Sequence, residues 1–266
     1  MIFIGWRRLI CLLGREVFRK GLKQKDQSSC SLRRCYHQRT SGRLLDPEMR
    51  AFLEENTEVI SSGNLTPEIS LRLLTPHCRF WHDKAALWPY GDPYWAIYWP
   101  GGQGLARYLL DNPKVVRMKK VLDLGSGCGA TAIAAMMSGA SQVVANDIDP
   151  VAGAAMMLNC ELNSLNPFPV LTENLIDREQ DSWDWDVIVL GDMFYNDELA
   201  DSLHHWLKKH TETHITNVLI GDPGRPHFVC HKIQRELHKV SEYTLTKSTQ
   251  QENNGSTSTV VWHYQP

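Results

Sequence analysis

The sequence predicts an α/β protein in which strands and helices alternate to form a doubly wound, mostly parallel sheet of seven strands. Three observations support this prediction. From residue 120 onward, short apolar runs alternate with segments of helical periodicity. The run Val187–Leu190 is wholly apolar, as expected of a strand covered by helices on both faces. The last two apolar runs are separated by a polar turn alone, so they should form an antiparallel pair.

The composition is that of a globular protein. The chain has 266 residues, of which 42% are hydrophobic and 22% are charged, with a formal net charge of −2. These values exclude a collagen, a coiled coil and a wholly disordered chain. The seven cysteines contain no Cys-x-x-Cys pair, so they suggest neither a disulfide framework nor a cysteine-rich zinc site. The cysteine usage fits a reducing compartment.

The charge is distributed unevenly along the chain. Residues 1–45 contain eleven Lys or Arg and two acids, a net charge of +9, whereas the remaining residues carry −11. On a helical wheel Arg8, Arg15 and Arg19 gather on one face, opposite an apolar one. Such a start is typical of a transit peptide, so residues 1–40 are predicted to be a leader for the mitochondrial matrix. A disordered basic tail, or a surface helix touching anionic lipid or nucleic acid, is the alternative.

Residues 41–115 are predicted to form a helical and aromatic N-terminal extension. Asp46–Glu48 and Thr66–Glu68 each combine a capping residue, a proline and an acid, which is the pattern of a helix start. The second helix should end near Pro76. Residues 80–99 then hold eight aromatic side chains interrupted by prolines. We interpret them as a packed cap over the mouth of a ligand site.

Residues 116–266 are predicted to form the main domain. Its expected strands are 121–124, 142–145, 168–171, 187–190, 217–220, 243–247 and 257–263. Its expected helices are 130–137, a helix beginning after Asp149, 197–209 and about 227–237. No run of about 20 apolar residues occurs, so no membrane span is expected. The acidic body also argues against a nucleic-acid partner.

The segment after the first strand of this domain has the features of a ligand-binding loop. Asp123 is followed by Gly125, Gly127 and Gly129, and a helix begins at once. Glycines permit positive φ and a close approach of the backbone to a ligand. Asp123 lies in an apolar strand, where its carboxylate needs a cationic or hydrogen-bonding partner. Asp147 ends the second strand, where an acid can bind ribose hydroxyls.

The combined pattern resembles the S-adenosylmethionine-binding signature of the seven-β-strand (class I) methyltransferases. The resemblance covers roughly residues 95–264 and implies a Rossmann-like fold with S-adenosylmethionine as cofactor. Trp99–Gly102 is similar to the segment that covers the cofactor in that family. The resemblance also implies that Asn174, after the third strand, faces the adenine, and that Asp123, Gly125, Gly127, Gly129 and Asp147 bind the cofactor.

The fourth strand ends in a second motif. Asp192 and Tyr195 form an Asp-x-x-Tyr sequence that resembles the motif of protein-lysine methyltransferases, so both are implied as catalytic residues. A carboxylate can accept hydrogen bonds from a lysine amine and orient it toward a methyl group. The alternative is that Asp192 caps the following helix, although Asn196 or Asp197 is also suitable. Asp222–Arg225, after the fifth strand, either lines the substrate side or forms a plain turn.

The order of these motifs is similar to that of a mitochondrial branch of the family. That likeness implies a protein substrate, the β subunit of the electron transfer flavoprotein, and trimethylation of its lysines. The alternatives are a methyltransferase of another mitochondrial protein of the ribosomal type, a nicotinamide-dependent dehydrogenase and an idle binding protein. No metal is expected, because neither a cysteine nor a His-Glu-x-x-His pattern surrounds His205, His210 and His214. The oligomeric state is not predicted.

Overall fold

The computed structural model describes residues 45–82, 88–90, 92–177, 184–253 and 255–266. Residues Pro47–Pro266 form one unit. The predicted leader, residues 1–40, lies outside the described residues. Within them, no helix has the length and apolar character that crossing a membrane requires.

A seven-stranded sheet is the centre of the molecule. The seven strands of this sheet, in chain order, are β3 (Lys120–Leu124), β4 (Gln142–Asn146), β5 (Val170–Leu171), β6 (Val187–Gly191), β7 (Asn217–Asp222), β8 (Leu237–Thr244) and β9 (Ser258–Tyr264), and two short strands precede them, β1 (Glu58–Ile60) and β2 (Leu71–Leu73). The strand order is β5-β4-β3-β6-β7-β9-β8. The first five are parallel, and β9 pairs antiparallel with both β7 and β8. The predicted fold class, including the terminal antiparallel pair, is confirmed.

Eight α-helices flank these strands within the described residues. They are α1 (Pro47–Asn56), α2 (Arg79–His82), α3 (Pro100–Asp111), α4 (Ala130–Met137), α5 (Pro150–Leu162), α6 (Asp197–Thr213), α7 (Pro226–Val229) and α8 (Lys247–Glu252). The predicted starts of α1 and α5 are confirmed, and Asp149 caps α5 by accepting a hydrogen bond from the Val151 N–H at 2.8 Å. The core consists of apolar side chains of the central strands, such as Val121, Leu122 and Ile188, which are wholly buried.

The predicted helix after Thr66 is wrong. One turn forms there, and the chain then extends into β2, which pairs with β1. The reason lies in α5 and the residue that follows it. The side chain of Asn163, directly after α5, accepts a hydrogen bond from the Ser70 N–H at 2.9 Å, and that of Asn159 accepts one from the Arg72 N–H at 2.7 Å. These bonds satisfy backbone groups that a helix would satisfy internally, and they hold the segment extended.

The C-terminal elements also differ from the prediction. Residues 227–237 do not form one helix: α7 ends at Val229, and a 3₁₀-helix follows at Lys232–Glu236. The His231 side chain accepts a hydrogen bond from the Ile233 N–H, which starts this new turn. The strand expected at 243–247 is β8, which begins at Leu237, and the expected polar turn includes the short helix α8.

The aromatic segment packs partly against α1. Trp88 lies edge-on to Phe52 of α1 and to Phe80, with ring centroids 5.0 Å apart in both pairs. Trp88 and Trp95 are buried, and their centroids are 6.3 Å apart. This cluster attaches the segment before α3 to the body of the protein.

Three glycines let α3 approach the sheet closely. A Cβ atom at Gly101 would lie 2.2 Å from the carbonyl oxygen of Gly221 in β7 and 2.6 Å from a carboxylate oxygen of Asp192. A Cβ atom at Gly191 in β6 would lie 2.7 Å from the backbone nitrogen of Gly102. The first turn of α3 therefore contacts the carboxyl ends of β6 and β7 backbone to backbone.

This contact predicts different effects for two adjacent glycines. Gly101→Ala should lower the free energy of unfolding by about 1–3 kcal/mol, because the new methyl group overlaps backbone atoms that cannot move away. Gly102→Ala is the matched control: its Cβ would meet atoms only at 3.8 Å or beyond, and alanine is the better helix former. Chemical denaturation of both variants checks the difference, and equal losses would contradict the close approach.

Candidate active site

A cleft lies at the carboxyl ends of β3 and β6. The strand order reverses between these two strands, which is where open α/β sheets bind ligands. The space in this cleft, including the part that is open to solvent, amounts to about 340 Å³. Its walls come from the segment before α3, the loop after β3 and the end of β6. They include Trp99, Gly102, Asp123, Gly125, Gly127, Gly191 and Asp192.

The glycine loop after β3 has the backbone conformation that its sequence predicts. Gly125, Gly127 and Gly129 have φ angles of +68°, +54° and +80°. Ser126 ties the loop to β4, because its N–H donates to the Asn146 carbonyl at 2.9 Å and its hydroxyl oxygen accepts from the Asn146 N–H at 3.1 Å. The loop is thus held open toward the cleft by bonds on its other side.

Asp123 is buried and has a hydrogen-bonding partner. Its side chain accepts a hydrogen bond from the Ala132 N–H, in the first turn of α4, at 3.0 Å. Burial raises the pKa of Asp123 to about 7, and the negative charge of Asp147 adds to the rise. Of the two kinds of partner that the sequence allowed, the structure places a backbone donor beside this carboxyl group.

Asp147 connects the end of β4 to the glycine loop. One carboxylate oxygen accepts from the Gly127 N–H at 2.9 Å, and the other accepts from the Asp149 N–H at 3.0 Å. Burial raises the pKa of Asp147, while these two hydrogen bonds oppose the rise. A carboxylate has about four acceptor positions, so two remain for a ligand.

The side chain of Asn174 makes hydrogen bonds within its own loop. Its amide donates to Asp177 at 2.8 Å, and its carbonyl oxygen accepts from the Ile176 N–H at 3.1 Å. It does not line the cleft, so its contact with an adenine ring stays a prediction. Asn146, which the sequence analysis did not single out, holds the same loop through bonds from its amide to the carbonyls of Leu171 and Glu173. A polar residue ending a buried strand was the available signal.

Asp192 is buried at the end of β6, and it does not cap the next helix. Asn196 caps α6 by accepting from the Leu199 N–H at 2.8 Å. Asp192 has a φ angle of +59°, which is uncommon for a residue other than glycine. Its two carboxylate oxygens accept from the Gly102 N–H at 3.0 Å and from the Arg225 guanidinium at 2.7 Å. Burial raises the pKa of Asp192, and the charge of Arg225 opposes that rise.

The two aromatic residues predicted for the site, Trp99 and Tyr195, differ in their surroundings. The Trp99 indole N–H donates to the Tyr94 carbonyl at 2.9 Å, and the Arg225 guanidinium lies 5.3 Å from the centre of the Trp99 ring. Tyr195 is half exposed and lies outside the cleft walls. The structure therefore places Trp99, Asp123, Gly125, Gly127 and Asp192 in the cleft walls, with Asp147 bonded to Gly127. The remaining predicted site residues, Gly129, Asn174 and Tyr195, lie outside the walls.

Comparison with solved structures identifies the fold. A putative methyltransferase crystallised with SAH has a TM-score of 0.54 at 14% identity, and the match covers 79% of this chain and 56% of that one. A putative SAM-dependent methyltransferase from Streptococcus mutans has a TM-score of 0.53 at 12% identity, covering 78% and 55%. These likenesses concern the fold alone. The family model described as ribosomal protein L11 methyltransferase (PrmA) matches residues 107–219. The fold is that of the Rossmann-like methyltransferase class.

Curated relatives identify the family within that class. Proteins named electron transfer flavoprotein beta subunit lysine methyltransferase are 69% identical in Homo sapiens, over 86% of both chains, and 54% identical in Danio rerio, over 97% of both. A homologue in Caenorhabditis elegans is 38% identical over 68% of this chain and 80% of its own. The chain belongs to the electron transfer flavoprotein beta subunit lysine methyltransferase family.

The geometry of the glycine loop predicts which glycine is needed for the cofactor. At Gly127 a Cβ atom would meet no described atom closer than 3.8 Å, so the methyl group of Gly127→Ala would occupy cleft space. This variant should bind S-adenosylmethionine about tenfold more weakly or worse. Gly139→Ala is the control, because Gly139 also has a positive φ, +86°, and lies outside the cleft walls. Calorimetric titration measures both, and equal affinities would place the cofactor elsewhere.

Proposed function

We propose that this chain is an S-adenosylmethionine-dependent protein-lysine N-methyltransferase that trimethylates lysines of the electron transfer flavoprotein β subunit in mitochondria. One observation carries the proposal. A buried carboxylate, Asp192, lines a class I methyltransferase cleft in a chain that is 69% identical to a protein with that lysine methyltransferase name.

The cleft residues fit this cofactor. The carboxyl group of Asp123 lines the cleft and that of Asp147 lies beside it, while Asp192 is paired with Arg225. Such walls suit a ligand with a positively charged sulfonium. The open backbone at Gly127 permits close approach. When bound, S-adenosylmethionine supplies a methyl group on that sulfonium.

The chain's residues divide the work between two sides of the cleft. On the cofactor side, Asp147 offers its two free acceptor positions to ribose hydroxyls, and Gly127 leaves the backbone of the loop open to the ligand. Trp99 covers the site, and Asn174 is proposed to face the adenine after its loop rearranges. On the acceptor side, Asp192 accepts hydrogen bonds from the lysine amine.

Orientation of the amine is the main task of the acceptor side. The lysine nitrogen must present its lone pair in line with the carbon–sulfur bond, so that a nitrogen–carbon bond forms while that bond breaks. Asp192 holds an amine hydrogen, and Tyr195 at the rim aligns the incoming chain. The face of Trp99 stabilises the positive charge that passes from sulfur to nitrogen. The amine proton leaves to solvent.

The proposed location is the mitochondrial matrix, with residues 1–40 as the leader and 116–266 as the cofactor-binding domain. The support is the net charge of +9 in residues 1–45 and the arginine face of that segment.

Deletion of residues 1–40 tests the location. The truncated chain should methylate its substrate in vitro at the rate of the full chain and stay in the cytosol of transfected cells. Fluorescence microscopy and fractionation measure the second effect. Mitochondrial import of the truncated chain at the full-length level would refute the leader.

A ribosomal-protein substrate is the second candidate, because the family model that matches residues 107–219 is described by that activity. The match covers less of the chain than the curated relatives do. Purified enzyme with labelled S-adenosylmethionine should transfer methyl groups to purified electron transfer flavoprotein β subunit and not to ribosomal protein L11. Labelling of L11 alone would contradict the flavoprotein as substrate and favour a ribosomal protein instead.

The acceptor role of Asp192 predicts a separation of binding from turnover. Asp192→Asn keeps the shape of the side chain and loses the charge, so it should bind S-adenosylmethionine nearly normally while turnover falls about 100-fold or more. Tyr195→Phe should lose less. Asp184→Asn, an exposed residue before the other end of β6, is the control. Calorimetry and methyl transfer are measured on the same preparations.

Two outcomes would correct this assignment. Full turnover in Asp192→Asn would remove Asp192 from the acceptor side. Loss of cofactor affinity in the same variant would assign Asp192 to the cofactor side.

A further inference from the structure

Asp192 is one half of an ion pair. The Arg225 Nε and Nη2 atoms lie 3.2 and 2.7 Å from the same carboxylate oxygen. The Asp192 side chain is 6% exposed and that of Arg225 is 23% exposed, so water screens the pair weakly. The same guanidinium lies over the Trp99 ring, 5.3 Å from its centre. Arg225 therefore touches both an acceptor-side residue and the residue that covers the cofactor side.

Hydrogen bonds in the loop after β7 hold Arg225 in this position. One oxygen of Asp222 accepts from the backbone N–H groups of Gly224 and Arg225, both at 2.7 Å. Phe228, in the next turn, packs on Phe194 of the loop after β6, with centroids 5.1 Å apart and both rings buried. The two loops that carry Arg225 and Asp192 are thus braced against each other.

The charged and polar groups near the pair come from five parts of the chain. Asp222 at the end of β7 is buried, and burial, followed by the charge of Asp192, raises its pKa to about 7. The first turn of α3 contributes the Gly102 N–H, and Tyr195 follows on the loop after β6. Asp123 and Asp147, from β3 and β4, belong to the cofactor side. Arg225 is the cation that directly contacts Asp192 among the described residues.

We propose that Arg225 is a positioning residue for methyl transfer. It keeps the Asp192 carboxylate ionised and holds it in the cleft wall. Because the two side chains form a pair without net charge, the carboxylate can accept a hydrogen bond from the lysine amine without stabilising its protonated form. The inference rests on the proposed function, because it concerns the acceptor side of that same site.

The chemistry requires such a neutral pair. An ammonium has no lone pair, so the lysine must lose its proton to solvent before its nitrogen bonds the methyl carbon and the carbon–sulfur bond breaks. A lone buried carboxylate would stabilise the ammonium and hold that proton. A cation beside the carboxylate cancels this effect, just as a neighbouring cationic group activates a lysine nucleophile. Desolvation in the cleft then favours the neutral amine.

The test uses the pH dependence of turnover in Arg225→Met, Arg225→Lys and the exposed control Arg235→Met. Purified flavoprotein β subunit is the acceptor, and calorimetry with S-adenosylmethionine is the readout independent of activity. Arg225→Met should bind the cofactor within about threefold of wild type. The rising limb of its kcat profile should move to higher pH by about one unit or more, the effect of one nearby charge. Both consequences of losing the cation, a raised lysine pKa and a raised Asp192 pKa, have this sign.

Arg225→Lys separates charge from shape. It keeps the cation and loses the two-point contact. The rising limb of its kcat profile should therefore lie at the wild-type pH, while its maximal kcat should be about tenfold lower than that of the wild type. If Arg225→Met misfolds and loses cofactor binding, the pH dependence of kcat in Arg225→Lys becomes the test. A rising limb at a higher pH than in the wild type would then overturn the proposal.

Other outcomes also overturn it. An unmoved limb in a folded Arg225→Met would reduce Arg225 to a structural role, even if kcat falls. A lower KM with faster turnover would mean that Arg225 fills the space of the lysine. The proposed function has its own contradicting results: a wild-type enzyme without activity, or a fully active Asp192→Asn variant. An inactive Asp192→Asn variant together with an unchanged pH profile of kcat in Arg225→Met would contradict the role of Arg225 alone.

Discussion

The ion pair between Asp192 and Arg225 is the interaction on which the geometry of the cleft depends. It joins the end of β6 to the loop after β7, and the second oxygen of Asp192 adds the first turn of α3 through the Gly102 N–H. Removing one partner of a buried pair costs about 3–5 kcal/mol because it leaves an unpaired buried charge, so Asp192 and Arg225 each depend on the other. The glycines at 101, 191 and 221 make this meeting possible, because any side chain there would overlap backbone atoms.

The reversal of strand order gives the cleft two chemically distinct sides. β3 and β4 end in a glycine loop tied by Ser126 and Asp147, which presents open backbone and carboxylate acceptors. β6 and β7 end in loops that carry a carboxylate and its counterion. A positively charged small ligand suits the first side, and a lysine that must become neutral suits the second. Trp99 contacts the counterion and lines the cleft, so it connects the two.

Much of the fold was predictable because its signals are local. The apolar run of β6, the glycines after β3 and the proline after Asp149 each act within a few residues, and the structure places them as expected. The helix expected after Thr66 failed because Asn159 and Asn163, about 90 positions away, take the hydrogen bonds of that backbone. Local propensity carries no information about such a partner.

The same limit applies to the candidate site. Asp192 was identified from its place at a strand end, whereas its partner in the Asp222–Arg225 turn was left open, because 33 residues separate the two side chains. For Asn174 the family resemblance implied an adenine contact, which stays a prediction. Its amide group makes hydrogen bonds within its own turn. Pairing across loops depends on tertiary packing, such as that of Phe194 on Phe228, which leaves no periodic pattern in the sequence.

A double-mutant cycle on Asp192 and Arg225 tests the dependence of the site on their contact most directly. Turnover of methyl transfer to the flavoprotein β subunit would be measured for wild type, Asp192→Asn, Arg225→Met and the double variant. If the two residues act as one unit, the double variant should lose no more turnover than the more damaged single variant, within about threefold. If the factor by which the double variant loses turnover equals the product of the two single-variant factors, the two residues act independently, and the claim that the site depends on their contact is contradicted.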